Sequence, residues 1–146
     1  CHCRNLGCLE AVASGNAIEL AANNRLEKKD PNAEWITVKD LAEKAREGES
    51  EAKVIFNEAG LYLGRALAIA ANMLNPDKII LGGGVTLAID LLEDAIQKEF
   101  EKHTMREIKS STLIEVSPLG MDAGAYGAIA LALNQFLYKA DIAQEQ

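Results

Sequence analysis

Apolar residues recur at helical spacing along most of this chain, and the breaks between such stretches fall at Gly, Pro and Asn. From Leu9 to Asn23, the residues Ala11, Val12, Ala13, Ile18, Leu20, Ala21 and Ala22 form a wide apolar face, interrupted at Ser14 and Gly15, and predict one helix. The stretch from Asn24 to Trp35 is polar, with a turn signal at Asp30-Pro31. Thr37 then stands as an N-cap before Val38, Leu41, Ala42 and Ala45, which repeat at helical spacing until Gly48. Ser50 is the expected cap of a long helix reaching about Leu74, closed by Asn75 and Pro76. Its apolar positions are nearly continuous after Ala59, so that half is expected to be buried.

Beyond this helix the period changes. Lys78 to Leu81 reads as a short strand running into Gly82, Gly83 and Gly84. A helix is predicted from about Leu87 to His103, with Ile89, Leu92, Ala95, Ile96 and Phe100 on one face. Thr112 to Val116 is a second strand, Ser117 to Met121 a turn, and Asp122 opens a last helix to about Tyr138. A polar tail from Asp141 is expected to fray. Strands separated by helices of this length imply crossover connections and a parallel pair, hence an α/β class. Two strands make a poor sheet, so further strands are expected upstream. There is no internal repeat and no low-complexity linker.

The chain has 146 residues, enough for one domain, with 49% apolar and 25% charged residues. A net charge of -7 gives an acidic surface that repels phosphate backbones, so no direct nucleic-acid partner is expected. No uninterrupted apolar run approaches the roughly 18 residues of a membrane span. The longest, Ala66 to Leu74, contains Asn72 and follows Arg65, so no membrane partner is expected. The first residue, Cys1, already lies inside a dense cysteine cluster, which reads as a piece of a longer protein. All three cysteines fall within the first eight residues. That clustering favours metal ligation over a disulfide framework, in a reducing compartment such as the cytoplasm.

The opening Cys1-His2-Cys3-Arg4-Asn5-Leu6-Gly7-Cys8-Leu9-Glu10 offers three thiolates to one zinc ion. Cys1 and Cys3 flank one residue, and a four-residue loop with Gly7 returns Cys8. Zinc takes four donors, so one position remains. His2 sits between two ligands, where its side chain tends to point away, and an upstream fourth ligand is expected. Three incidental cysteines are the competing account. This segment resembles the C-x-C-G-x-x-G-C-x-E segment of ROK-family sugar kinases, with Cys1, Cys3, Gly7, Cys8 and Glu10 in register and Ala13-Ser14-Gly15 following. Arg4 departs from the family's usual Gly. The resemblance implies a structural zinc on Cys1, Cys3 and Cys8 with a fourth ligand from an upstream His, and a sugar-binding role for Glu10. A carboxylate suits that role because it accepts two hydroxyl hydrogen bonds. Its position beside a metal ligand would steady its backbone. Without the resemblance, Glu10 would simply favour a helix N-terminus.

The run Ile79-Ile80-Leu81-Gly82-Gly83-Gly84-Val85 is a strand entering a glycine turn. Gly permits close backbone approach and positive φ, and nucleotides sit at the open ends of parallel strands. It is neither a Walker A loop nor G-x-G-x-x-G, and a tight strand–helix connection explains it equally well. The stretch from Asn75 to Val85 resembles the N-P-x-x-I-I-L-G-G-G-V segment of ROK kinases, which implies that Gly82, Gly83, Gly84 and Val85 bind the adenosine of ATP. Thr37-Val38-Lys39-Asp40 and Ala45-Arg46-Glu47-Gly48 also run like ROK glucokinases. Met121 to Ala128 resembles the family's closing D-A-G-x-x-G-A helix, with Asp122 as N-cap and Gly124 and Gly127 allowing close helix–sheet contact. The Gly60-Leu61-Tyr62-Leu63-Gly64 segment is read as close helix packing through small faces.

Taken whole, the resemblance implies an incomplete C-terminal lobe of an actin-like ATPase (ribonuclease H-like) fold. Residues 1–10 would be a zinc-binding loop, 11–140 the partial kinase domain and 141–146 a tail. The implied activity is ATP-dependent phosphorylation of a hexose at its 6-hydroxyl in glycolytic carbohydrate metabolism. Glucose is favoured, magnesium accompanies ATP, and the protein forms a homo-oligomer. Phosphoryl transfer also needs a base for the attacking hydroxyl. The family's base is an Asp from an upstream segment, so no catalytic residue is assigned here and this chain alone is expected to be inactive without the remainder of the kinase. Fructose, allose and N-acetylmannosamine kinases share these segments, so the hexose stays open. A sugar-sensing domain of a ROK transcriptional repressor is the alternative, and a zinc-stabilised scaffold without catalysis a third reading.

Overall fold

The computed structural model describes residues 1, 3, 5–26 and 34–138. His2, Arg4, the turn expected at Asp30-Pro31 and the tail from Asp141 lie outside the described residues.

The first expected helix is two. Helix α1 (Glu10–Ala13) ends where Ser14 takes an extended backbone, and α2 (Gly15–Leu26) begins beyond it. Ser14 Oγ accepts the Ala17 N–H at 3.1 Å, so the residue that interrupts the apolar pattern caps the second helix. Helix α3 (Val38–Arg46) opens with a capping box: Thr37 Oγ1 accepts the Asp40 N–H, and Asp40 Oδ2 accepts the Thr37 N–H at 3.0 Å. Gly48, at φ 109°, ends that turn. Helix α4 (Ser50–Leu74) runs 25 residues. Ser50 is its first residue rather than its cap, because Glu49 holds the cap position without a side-chain hydrogen bond. Asn75 closes it in the left-handed conformation, φ 45°.

The strands follow as expected. β1 (Lys78–Leu81) and β2 (Leu113–Val116) pair in parallel, with Lys78 opposite Leu113 and Leu81 opposite Val116. Between them lie a 3-10 segment (Gly84–Leu91), α5 (Glu93–His103) and α6 (Arg106–Ser111). The helix predicted from Leu87 is therefore kinked: Ala88, at φ -116° and ψ 30°, breaks it while burying its methyl group in the core. Six mostly polar residues give α6 no readable period, and it was not anticipated. After β2, a 3-10 turn (Gly120–Asp122) leads into α7 (Ala123–Leu133) and a π-helical turn (Asn134–Tyr138). Asp122 does not cap α7. Its own backbone is already helical (φ -85°, ψ -2°), whereas a cap needs an extended one.

The core forms where α2, α3, α4 and α5 meet, around Ile18, Leu41, Phe56, Leu92 and Ile96. A smaller cluster joins Ala68, Ala71 and Phe100. The late half of α4 is buried along one stripe alone, Ala59, Gly60, Gly64, Ala68 and Ala71, while Tyr62, Ile69, Met73 and Leu74 stand exposed. The stripe meets α5 at backbone contact. A methyl group on Gly60 would lie 2.8 Å from Ala95 Cβ, and one on Gly64 2.5 Å from the Ile96 carbonyl oxygen. These glycines serve close packing, as expected. By length and mean hydropathy (1.3 in its most apolar stretch) α4 is long and apolar enough to cross a membrane, contrary to the reading from uninterrupted runs. Its packed stripe is that of a core helix. Helix α7 is apolar on every face yet has no buried residue, and nothing lies within 4 Å of a methyl group placed on Gly124 or Gly127. The close contact expected at those two glycines is absent among the described residues.

On the edge of the α4–α5 contact, Glu99 is 4% exposed and accepts from Arg65 Nε at 2.5 Å. His103 Nε2 and Lys102 Nζ lie 3.1 and 3.5 Å from its oxygens. The Arg65 hydrogen bond holds its carboxyl below the ordinary 4.5. A lowered carboxyl pKa contributes stability that is complete above the unfolded value and is lost as pH falls through the folded one. Glu99→Gln should therefore lower the melting temperature near neutrality, with the gap to wild type closing as pH drops below about 4.5. Gly64→Ala should cost about 1–3 kcal/mol in denaturant unfolding, because the new methyl group meets backbone that cannot rotate away.

Candidate functional site

Gly7, at φ 79°, turns the N-terminal loop back on itself and brings the three sulfurs together. Cys1 and Cys3 Sγ lie 2.9 Å apart, Cys3 and Cys8 Sγ 3.2 Å, and all three within 4.8 Å of one another. All three are free thiols. The Asn5 N–H donates to Cys3 Sγ, and this bond together with Cys8 holds the Cys3 pKa down. Cys8, sharing a proton with Cys3, is pushed up. Zinc–sulfur bonds of about 2.3 Å place the thiolates of a tetrahedron roughly 3.8 Å apart. The loop thus suits a thiophilic divalent ion after opening outward by less than about 1 Å, with a fourth donor still required.

Glu10 is the first residue of α1, two positions after Cys8. It lines a pocket of about 350 Å³ with Cys1, Ala11, Ser14, Asn16, Ala17 and Leu20. The break at Ser14 separates α1 from α2, and Glu10, Ala11 and Asn16 on either side of it are exposed. Its lining sets the Glu10 carboxylate and the Asn16 amide beside the apolar Ala11, Ala17 and Leu20, a mixed surface suited to a polyol. The sequence pattern did not single out Asn16; its signal is a polar residue two positions after the helix break at Ser14.

The glycine turn borders a second pocket, about 310 Å³, lined by Gly84, Leu87 and Ala88 on one side and by Thr37, Val38, Lys39, Ala42 and Arg46 on the other, with Glu19 between. Gly83 adopts φ 90°, and Thr86 Oγ1 donates to its carbonyl at 2.7 Å, closing the turn. Of the four residues assigned to nucleotide binding, Gly84 lines the pocket; Gly82 and Gly83 belong to the turn that leads to it without lining it, and the Val85 side chain packs against the core. The α3 wall was not foreseen as part of this site. It arrives through long-range ties: Glu19 Oε1 accepts the Val38 N–H at 3.0 Å, and buried Asn23 clasps both backbone groups of Ile36 at 2.9 Å. Helix α2 therefore borders both pockets.

The family model described as ROK matches residues 1–135. The chain belongs to the ROK family. It is 34% identical to a glucokinase of Halalkalibacterium halodurans over 143 residues, covering 92% of this chain and 43% of that one. It is 32% identical over 140 residues to the DNA-binding transcriptional dual regulator NagC of Escherichia coli, covering 94% of this chain and 34% of the regulator. A ROK family glucokinase from Streptomyces griseus, solved in complex with glucose and AMPPNP, superposes with a TM-score of 0.77 at 31% identity, covering 90% of this chain and 46% of that one. The chain thus spans less than half the length of these relatives, and its mostly helical α/β architecture is that of ROK sugar kinase structures.

For this ROK chain, replacing Cys3 or Cys8 by Ser should abolish zinc retention after dialysis, measured by elemental analysis, and should lower the temperature at which the loop and α1 lose protection from amide exchange. Equal zinc content in wild type and variants would exclude the metal site.

Proposed function

We propose that this chain is the C-terminal, actin-like lobe of an ATP-dependent hexose kinase, with glucose as the favoured acceptor at its 6-hydroxyl. The observation that carries the reading is the pairing of two pockets across α2, one walled by Glu10 beside the sulfur loop and one beside Gly84. The Streptomyces griseus neighbour, bound to glucose and AMPPNP, supports this pairing of ligands. In the proposed scheme Glu10 accepts hydrogen bonds from two sugar hydroxyls and fixes the ring. A zinc ion on Cys1, Cys3 and Cys8 braces the loop; with every position filled by protein it offers no corner for a reacting water and is structural. The glycine turn lets the nucleoside of magnesium–ATP lie against bare backbone. The base for the attacking hydroxyl comes from the remainder of the kinase chain, which would also cover α7. The setting is reducing and cytoplasmic, and the assembly a homo-oligomer.

The similarity to NagC over nearly the whole chain favours a second reading, a sugar-sensing domain of a regulator. The two separate in one assay on the intact protein. A kinase releases ADP on addition of glucose and magnesium–ATP, and Glu10→Gln raises the glucose KM by about 10- to 100-fold, as expected for loss of a charge-assisted pair of hydrogen bonds, while leaving ATP binding unchanged. Sugar binding without ATP turnover, still sensitive to Glu10→Gln, would favour the regulator.

A further inference from the structure

We propose that Arg46 and Asp90 form a positioning pair for the nucleotide base, holding α3 at a set distance from the segment after the glycine turn. This rests on the reading of that pocket as the nucleotide site and deepens it. Arg46 is the last residue of α3 and lines the pocket, whereas Asp90 lies in the 3-10 segment that supplies the opposite wall through Gly84, Leu87 and Ala88, two residues past that lining. The guanidinium meets the carboxylate as a fork: Nε donates to Oδ2 at 2.9 Å and Nη2 to Oδ1 at 2.7 Å. Nη2 also lies 3.5 Å from the carbonyl oxygen of Leu87, another lining residue. One side chain rooted in one wall therefore ends on the other. Ala42 and Ala88, from the same two walls, are small residues buried in the shared core cluster, so the long side chain of Arg46 spans the gap above them.

The pocket's other polar side chains are largely engaged in local bonds. Glu19 binds the Val38 N–H and the Trp35 indole, and the Thr37 hydroxyl binds Asp40. Apart from the Lys39 side chain, what remains is the apolar lining of Val38, Ala42, Leu87 and Ala88, a surface suited to a flat ring. With its Nε–Nη2 edge tied to Asp90, Arg46 has its planar face and aliphatic stem left as the surfaces a base can pack on. A bidentate pair has directional geometry that a single contact lacks, and this one is half-exposed, so it acts through placement more than through stability.

The test is calorimetric titration of the intact protein with magnesium–ATP and, separately, with glucose. Wild type is compared with Arg46→Ala, Asp90→Asn and Asp90→Glu, with thermal melts alongside. The expected result is an ATP affinity weakened about five- to tenfold in Arg46→Ala and Asp90→Asn. Asp90→Glu, which keeps the fork, should stay within about twofold of wild type. Glucose affinity should be unchanged throughout. Equal ATP affinity in all four proteins overturns the pair's role while leaving the pocket assignment standing. Parallel losses of ATP and glucose affinity with a lowered melting temperature overturn it in favour of general support of the fold. A wild-type protein that binds glucose but no ATP removes the pocket assignment and this inference together.

Discussion

Helices α4 and α5 touch at the backbone, and much of the arrangement follows from that contact. Gly60 and Gly64, one turn apart, leave no room for even a methyl group against Ala95 and Ile96. Dense packing of this kind has few alternative registers, because any rotation of either helix replaces hydrogen with carbon at the interface. Helix α5 follows directly from the 3-10 segment of the glycine turn, so fixing α5 fixes where β1 delivers its glycines. Arg65 and Glu99 close the same contact at its solvent edge, where a charge sheltered from water has its partner within hydrogen-bond distance.

A second constraint links the two pockets. Helix α2 carries Asn16, Ala17 and Leu20 toward one and Glu19 toward the other, within little more than one turn. Asn23, on the same helix, ties down the Ile36 backbone in place of a strand partner and so sets the start of α3. A kinase must hold sugar and nucleotide at a defined separation, since a misplacement of about 1 Å can cost two orders of magnitude in rate. A single rigid helix shared by both sites is a direct way to meet that demand. A regulator that senses sugar would use the same helix to carry information rather than to align reactants.

The surface carries its own message. Tyr126, Ile129 and Leu131 of α7, a helix with no polar face, and Phe136 and Leu137 of the π-helical turn after it are all more than half exposed. Such a helix is normally buried. Among the described residues the sheet has two strands, below the number that is stable without cover. In the proposed kinase, both features are met by the remainder of the chain packing over α7 and the open strand edges.

Spacing and turn chemistry made much of the fold legible. The Thr37 cap, the stops at Gly48 and Asn75, both strands and the glycine turn depend on local backbone preferences that sequence neighbours determine. The sulfur loop was legible for the same reason, because eight residues with one permissive glycine decide its closure. Other features belong to tertiary structure. Large apolar residues of α4 face outward because its small-residue stripe meets α5. Arg46 and Asp90, 44 residues apart, pair across a pocket that exists once α3 is docked. Periodicity reports which face is apolar, but contacts between distant segments decide which part of that face is covered and what stands opposite it.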